Sequence, residues 1–250
     1  MSDVTYDLKL LEGSRAKWEE SPGLRLVYRS IFADLMQSAG SGAVLDIGAG
    51  AGFLKIDHPN VTTSDVVKTP FVDCAVSAYE IEALGRRWDA IVAMDVLHHL
   101  REPLRFVESA SRSLNPGGRV VLVEPAATAF GRWFYRRFHH EPCLPERLTA
   151  PYRFEADDRE GNFANMGMGW ALFRRDRVPV GGYLEQIGLK ILSVRYRDVL
   201  AYPATGGLSH RQYLPTGILK AVLGIERTLP HWVMSRIGLR MIVVLETTVR

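Results

Sequence analysis

The sequence predicts an α/β fold, a doubly wound parallel sheet with helices on both faces. Three observations carry this expectation. Short aliphatic segments alternate with helical stretches: AVLDI (43–47), VTTSDV (61–66), VDCAVS (72–77), WDAIVAM (88–94) and GRVVLVE (118–124). Strands separated in this way are joined by crossovers and lie parallel, covered on both sides. The first segment also runs directly into a turn with glycine at every second position, Gly48, Gly50 and Gly52, where backbone can approach a ligand without Cβ contacts. Finally, 250 residues with 47% hydrophobic content suffice for one well-buried core.

Each element has a local reason. From Ser21 to Ala39, Leu24, Val27, Ile31 and Leu35 recur on one helical face. Ser21 followed by Pro22 signals the start, and Gly40, Ser41 and Gly42 the end. The link from Gly52 to Asp65 is short and contains Pro59, so the helix after the glycine turn is expected to be one or two turns long. An amphipathic helix is expected over about residues 101–114, stopped by the turn sequence NPGG. Two further strands, LKILSVRYR (189–197) and LRMIVVLETT (239–248), lie far downstream. Residues 125–183 are irregular and rich in aromatic, Arg, Gly and Pro residues, as in a lid or acceptor wall. The whole chain, 1–250, is expected to be one domain: an N-terminal helical segment (1–40), a core (41–124), the inserted region (125–183), and C-terminal strands (184–250) with a helical insertion (198–238).

Composition narrows the function classes. The net charge is +3 with a pI near 8.9, and the arginines are spread along the chain. No nucleic-acid partner is therefore expected. Two cysteines, Cys74 and Cys143, have no metal-ligand spacing, so neither a disulfide framework nor a metal is expected, and the usage suits the cytoplasm. The N-terminus is too charged for a signal peptide, and no apolar run reaches the length of a membrane span.

The glycine turn excludes two common nucleotide sites. The third glycine of the dinucleotide fingerprint G-x-G-x-x-G would fall at Phe53, and no Gly-Lys-Ser/Thr follows for a P-loop. What remains is Asp46 two places before G-x-G-x-G. A carboxylate there disfavours a pyrophosphate and favours a ligand carrying an ammonium or sulfonium group. VLDIGAGAG, followed in order by TSDV, WDAIVAMDVLHHL and LNPGGRVVLVEP, resembles the class I S-adenosylmethionine (SAM) dependent methyltransferases over roughly residues 40–125. Sequences such as RRFHHEP, REGNFA, FRRDR and YPATGGLSHR resemble a bacterial subgroup of these enzymes with no assigned acceptor. The resemblance implies a Rossmann-like, doubly wound seven-stranded sheet, mostly parallel with an antiparallel last strand.

It also implies roles for particular residues. Asp46 would lie near the methionyl end of SAM, with Gly48, Ala49 and Gly50 supplying close backbone. Asp65 would accept from both ribose hydroxyls, with Val66 against the adenine. Ser77 and Ala78 stand where the family often has Asp-Ala, so adenine recognition there would lean on a backbone amide. Met94 and Asp95 match positions that touch the methionine part of SAM, with S-adenosylhomocysteine as product. His98 and His99 follow, and fit either a packed helix turn or a face toward the acceptor.

An oxygen acceptor needs a base, and histidine suits neutral pH. His139, His140 and Glu141 stand together in RRFHHEP, as a base with its orienting carboxylate or as a lid anchor. Trp133, Phe134 and Phe138 could line an apolar acceptor pocket, and the apolar stretch 214–238 could touch a membrane surface or a second copy in a homodimer. The expectation is methyl transfer to a small-molecule, glycan or lipid-linked precursor, at oxygen. The alternatives are transfer to carbon or nitrogen, or a protein that binds SAM without transferring its methyl group.

Overall fold

Along the central strands, alternate side chains are buried on opposite faces. The strand pattern explains this directly, because successive side chains of a strand point to opposite sides. The computed structural model describes residues 8–154 and 163–248, so most of REGNFA lies outside the described residues. Among them, β1 (Val44–Ile47), β2 (Thr62–Asp65), β3 (Cys74–Ala75), β4 (Trp88–Met94), β5 (Leu114–Pro125), β6 (Leu189–Arg197) and β7 (Arg240–Thr247) form a seven-stranded sheet. Its order is β3-β2-β1-β4-β5-β7-β6. Strands β1 to β5 pair in parallel, and β7 runs antiparallel to both β5 and β6. The expected sheet, with its antiparallel last strand, is present.

The helices are α1 (Leu8–Glu20), α2 (Pro22–Ala39), α3 (Phe53–Asp57), α4 (Pro103–Arg112), α5 (Ala129–Phe138), α6 (Met168–Trp170), α7 (Arg177–Gln186), α8 (Ala201–Ala204), α9 (Thr216–Glu226) and α10 (His231–Ile237). On one face of the sheet, Ala90, Val92, Val121 and Val244 pack against Trp18 of α1, Leu24, Ile31 and Leu35 of α2, and Leu223 of α9. On the other, Ile91, Ala93, Val120 and Val243 pack against Phe106 and Val107 of α4 and Val180 and Leu184 of α7. A π-turn at Ala171–Arg175 links α6 to α7, and its Leu172 and Phe173 complete the second face.

The helix signals act as expected. Ser21 caps α2 by accepting from the Leu24 amide at 3.3 Å, and Gly40 ends the helix at φ 82°. Helix α3 is five residues long. Two elements differ from their sequence ranges. β3 keeps only two residues, because it is an edge strand and the Asp73 side chain before it takes the Thr63 amide (2.8 Å). β5 starts early, at Leu114, but residues 115–118 loop out between the pairings Trp88↔Leu114 and Ala90↔Arg119, with Gly117 at φ 76°. The NPGG turn is thus an irregularity inside the strand's first pairing. No helix among the described residues is long and apolar enough to cross a membrane.

Candidate active site at the carboxyl ends of β1 to β4

The parallel register brings distant motifs to one edge. Ile47 of β1 lies beside Ser64 of β2 and Ala93 of β4, and Asp65 beside Ala75 of β3. The residues that follow these strands therefore share the carboxyl end of the sheet. The strand order reverses direction between β1 and β4, which is where open α/β sheets bind ligands.

The glycine turn is built for this place. Gly48, Gly50 and Gly52 all have left-handed backbone, at φ 69°, 54° and 67°, a conformation that glycine adopts without steric cost. A Cβ on Gly48 would stand 2.5 Å from Val96 Cγ2, and one on Gly52 would stand 2.4 Å from the Phe71 carbonyl. At Gly50 the nearest atom to such a Cβ is Leu11 Cδ2, at 3.9 Å, so this side of the turn is open. The Ala49 amide donates to the Ser64 carbonyl (2.9 Å), and the Gly50 amide donates to Asp65 Oδ2 (2.9 Å). Asp65 Oδ1 accepts from the Val66 amide at 2.7 Å. Asp65 therefore braces the turn whose ligand it would share.

Asp46 is buried beneath the turn. Burial, with the neighbouring charge of Asp65, raises its pKa to about 8. A buried carboxyl with this shift is poised to ionise when a cation arrives. Ser77 accepts from the Tyr79 amide at 3.2 Å, and Ala78 packs partly buried against the core. Met94 packs against the opposite face, and Asp95 follows it with left-handed backbone, φ 57°. Non-glycine residues seldom adopt that conformation, and it is concentrated at functional sites. Asp95 Oδ2 accepts from Arg240 Nη1 at 2.6 Å, while its Oδ1 is buried with no hydrogen-bond partner.

The segment after Asp95 forms a second cluster. His98 is buried, and its Nδ1 lies 2.7 Å from Glu124 Oε2. Glu124, fully buried at the end of β5, also accepts from the amides of Val96 (2.9 Å) and Leu97 (2.8 Å) through Oε1. The inserted region reaches this point: the Asn165 amide donates to the His98 carbonyl at 2.9 Å, and the Asn165 side chain clamps Leu144 through both its amide and its carbonyl. Glu141 is thereby delivered between the histidines. Its carboxylate lies 3.6 Å from His98 Nε2 and from His99 Nε2, and 3.8 Å from His139 Nδ1 and His140 Nε2. Burial alone would lower the His98 pKa, but Glu124 and then Glu141 outweigh it and raise it to about 10. Burial likewise opposes ionisation of Glu141, yet His98, His99 and His139 hold it at about 2. His99 and His139 are lowered by desolvation, so both rings are neutral near pH 7. His140 is 86% exposed.

Residues 24–165, more than half of the chain, match the family model for the methyltransferase domain. The chain belongs to the methyltransferase domain family. With the four ordered motifs and this sheet, it is a class I SAM-dependent methyltransferase. A ubiquinone biosynthesis O-methyltransferase of Rhizobium etli is 28% identical over 167 residues, spanning 52% of this chain and 67% of the relative. A SAM dependent methyltransferase from Archaeoglobus fulgidus shares the fold, with a TM-score of 0.52 at 13% identity, covering 92% of this chain and 97% of that one.

Three residues at this edge of the sheet carry no motif in the sequence that marks them. Glu124 could have been suspected as the lone charge closing the apolar run VVLVE. Arg240, buried over the Tyr202 ring at 4.6 Å, looks in sequence like an ordinary strand-edge cation. Arg15 of α1 donates to the Ala51 carbonyl at 2.6 Å and lies over Phe71, so α1 covers the glycine turn. Its sequence carries no motif that announces this contact.

Proposed function

We propose that the methyltransferase moves the methyl group of SAM to an oxygen of a small-molecule, glycan or lipid-linked biosynthetic precursor. The observation that carries this reading is Glu141 among its histidines, beside the turn that would hold SAM. Val96, whose side chain meets Gly48, is two residues from His98, so donor and histidine cluster share one crevice. The assigned roles follow the chemistry available. Asp46 faces the cationic methionyl end, with Gly48, Ala49 and Gly50 giving backbone access. Asp65 takes the ribose hydroxyls, Val66 lies on the adenine, and Ser77 and Ala78 flank it. Met94 and Asp95 contact the methionine portion, where the buried, unpartnered Asp95 Oδ1 can accept from the ligand's ammonium.

A sulfonium already carries a good leaving group, so positioning supplies much of the acceleration. The acceptor hydroxyl must lose a proton, and the neutral His139 ring is suited to take it, with Glu141 stabilising the imidazolium formed and His140 flanking the entrance. The R. etli relative, an O-methyltransferase by name, supports oxygen as the acceptor atom. On α9, Ile218 and Ile225 share an exposed face opposite buried Leu219 and Leu223, and Trp232 is exposed nearby in sequence. That face supports docking on the surface that carries a lipid-linked acceptor.

Calorimetry with SAM and S-adenosylhomocysteine tests the donor assignment: both bind wild-type protein, and failure of both at millimolar concentration overturns it. Transfer of a 13C-labelled methyl group to candidate phenols, catechols and amines tests the acceptor. A product whose methyl shift marks nitrogen or carbon would replace the oxygen reading.

A further inference from the structure

We propose that His98, His99 and Glu141 form a binding site for one divalent transition-metal ion, open on the acceptor side. One ligand atom from each of His98, His99 and Glu141 lies within 4.8 Å of the others; His98 Nε2 is 3.6 Å from Glu141 Oε2, and His99 Nε2 is 3.6 Å from Glu141 Oε1. Those separations are too long for good hydrogen bonds. Each is close to the donor–donor spacing of about 3.3–3.6 Å around an ion with bonds of roughly 2.0–2.2 Å, so each histidine and its nearer carboxylate oxygen can share one ion. All three groups are therefore close enough to converge on one ion.

The surroundings support the same assignment. A metal-binding imidazole usually has its second nitrogen held by a carboxylate, which fixes the ring and leaves the other nitrogen to coordinate. His98 has this arrangement: Glu124 holds Nδ1 at 2.7 Å, and the amides of Val96 and Leu97 hold Glu124. The ring can turn only Nε2 toward Glu141, and an ion bound there takes the place of the proton on Nε2, which is released to solvent. Two imidazoles and one carboxylate select zinc, cobalt, nickel or iron over magnesium or calcium. Three protein ligands leave at least one position free, as in sites where a metal engages a substrate oxygen. His99 is 44% exposed in its side chain, which gives an ion a route in. No spacing in the sequence announces the set, because Glu141 arrives from the inserted region and only the adjacent pair His98-His99 is local.

The ion would sit beside the glycine turn, where an acceptor hydroxyl bound to it would be acidified, easing transfer of its proton to His139. The metal site itself rests on the three ligands and Glu124, and SAM titration reads the methyltransferase reading separately. The experiment is calorimetric titration of chelator-treated protein with Zn2+ alone, repeated with Co2+ while following its visible absorbance. One ion per chain should bind with a Kd in the micromolar range or tighter, and Co2+ should give the absorbance of a site with nitrogen and oxygen ligands. His99→Ala and Glu141→Gln should each weaken binding at least tenfold. Glu124→Gln, which leaves all three ligands in place, should weaken it roughly 10–100-fold. His210→Ala, an exposed histidine far along the chain, should change nothing. His99 is exposed enough for its alanine variant to fold, as circular dichroism will show. A folded His99→Ala protein with wild-type Zn2+ affinity overturns the proposal. So does a wild-type protein that binds neither ion below millimolar concentration, or loss of binding in His210→Ala.

Discussion

The glycine turn and the histidine cluster follow neighbouring strands, β1 and β4, but are built in different ways. The turn is assembled from consecutive residues: Asp46 to Gly52 leave one strand and enter one short helix, and each glycine is required by its own backbone or by one neighbour. The cluster is assembled from three separate segments. His98 and His99 follow β4, Glu124 ends β5, and Glu141 comes from the insertion, which is tied down by Asn165. The turn, proposed to hold the donor, needs only a local motif. The cluster, proposed to face the acceptor, is completed only by the inserted region.

The largest effect is expected at Glu124. Glu124→Ala would strand a buried histidine and two buried amides at once, and removing one partner of such a buried pair costs about 3–5 kcal/mol. Urea denaturation will measure this, and a loss below about 1 kcal/mol would mean that the cluster is not held through β5. Next comes Gly52→Ala, which forces left-handed backbone on alanine and drives a Cβ against the Phe71 carbonyl. It should cost about 2 kcal/mol and weaken SAM binding along with stability. Asp65→Ala should lower SAM affinity tenfold or more, by calorimetry, with the melting temperature less affected. An unchanged affinity would remove Asp65 from the ribose site.

A pH dependence sharpens the donor half. Asp46 stays protonated up to about pH 8 in the ligand-free protein. A cationic ligand favours its anion and so lowers that pKa. Below pH 8, SAM binding should therefore release a proton, and affinity should rise as pH approaches 8 and then level off. Titrations in buffers of different ionisation enthalpy will count the proton. Asp46→Asn should abolish both the release and the slope. The smallest effect separates the two histidines of the insertion: His139→Ala should lower turnover more than His140→Ala, with SAM affinity unchanged in both. The reverse order would make His140, the exposed ring, the base.

Much of the fold was legible because its causes are local. Ser21 before Pro22 opens α2, Gly40 closes it, and the aliphatic runs became strands at nearly their expected bounds. Where the bounds moved, a tertiary partner moved them. The expected six residues of β3 shrank to Cys74–Ala75 as Asp73 turned its side chain to Thr63, and β5 reached back to pair Leu114 with Trp88 before looping out. On the donor side, the sequence named Asp46 and Asp65, and the fold put them at neighbouring strand ends. On the other side, the sequence grouped His139, His140 and Glu141 by adjacency. The structure brings Glu141 as near to His98 and His99 as to its own neighbours, because backbone direction, not order along the chain, decides which side chains meet.

Local signals alone suffice for the class I methyltransferase fold and for the glycine turn after β1. Strand periodicity, capping residues and left-handed glycines act over a few residues and can be read one after another. What the tertiary structure alone decided was the company each charged group keeps: Glu124 with His98, Arg240 with Asp95, and α1 over the glycine turn. Those pairings depend on which strands become neighbours and how deeply they are buried. Burial, which no short motif records, is also the main reason that the Asp46 pKa rises to about 8.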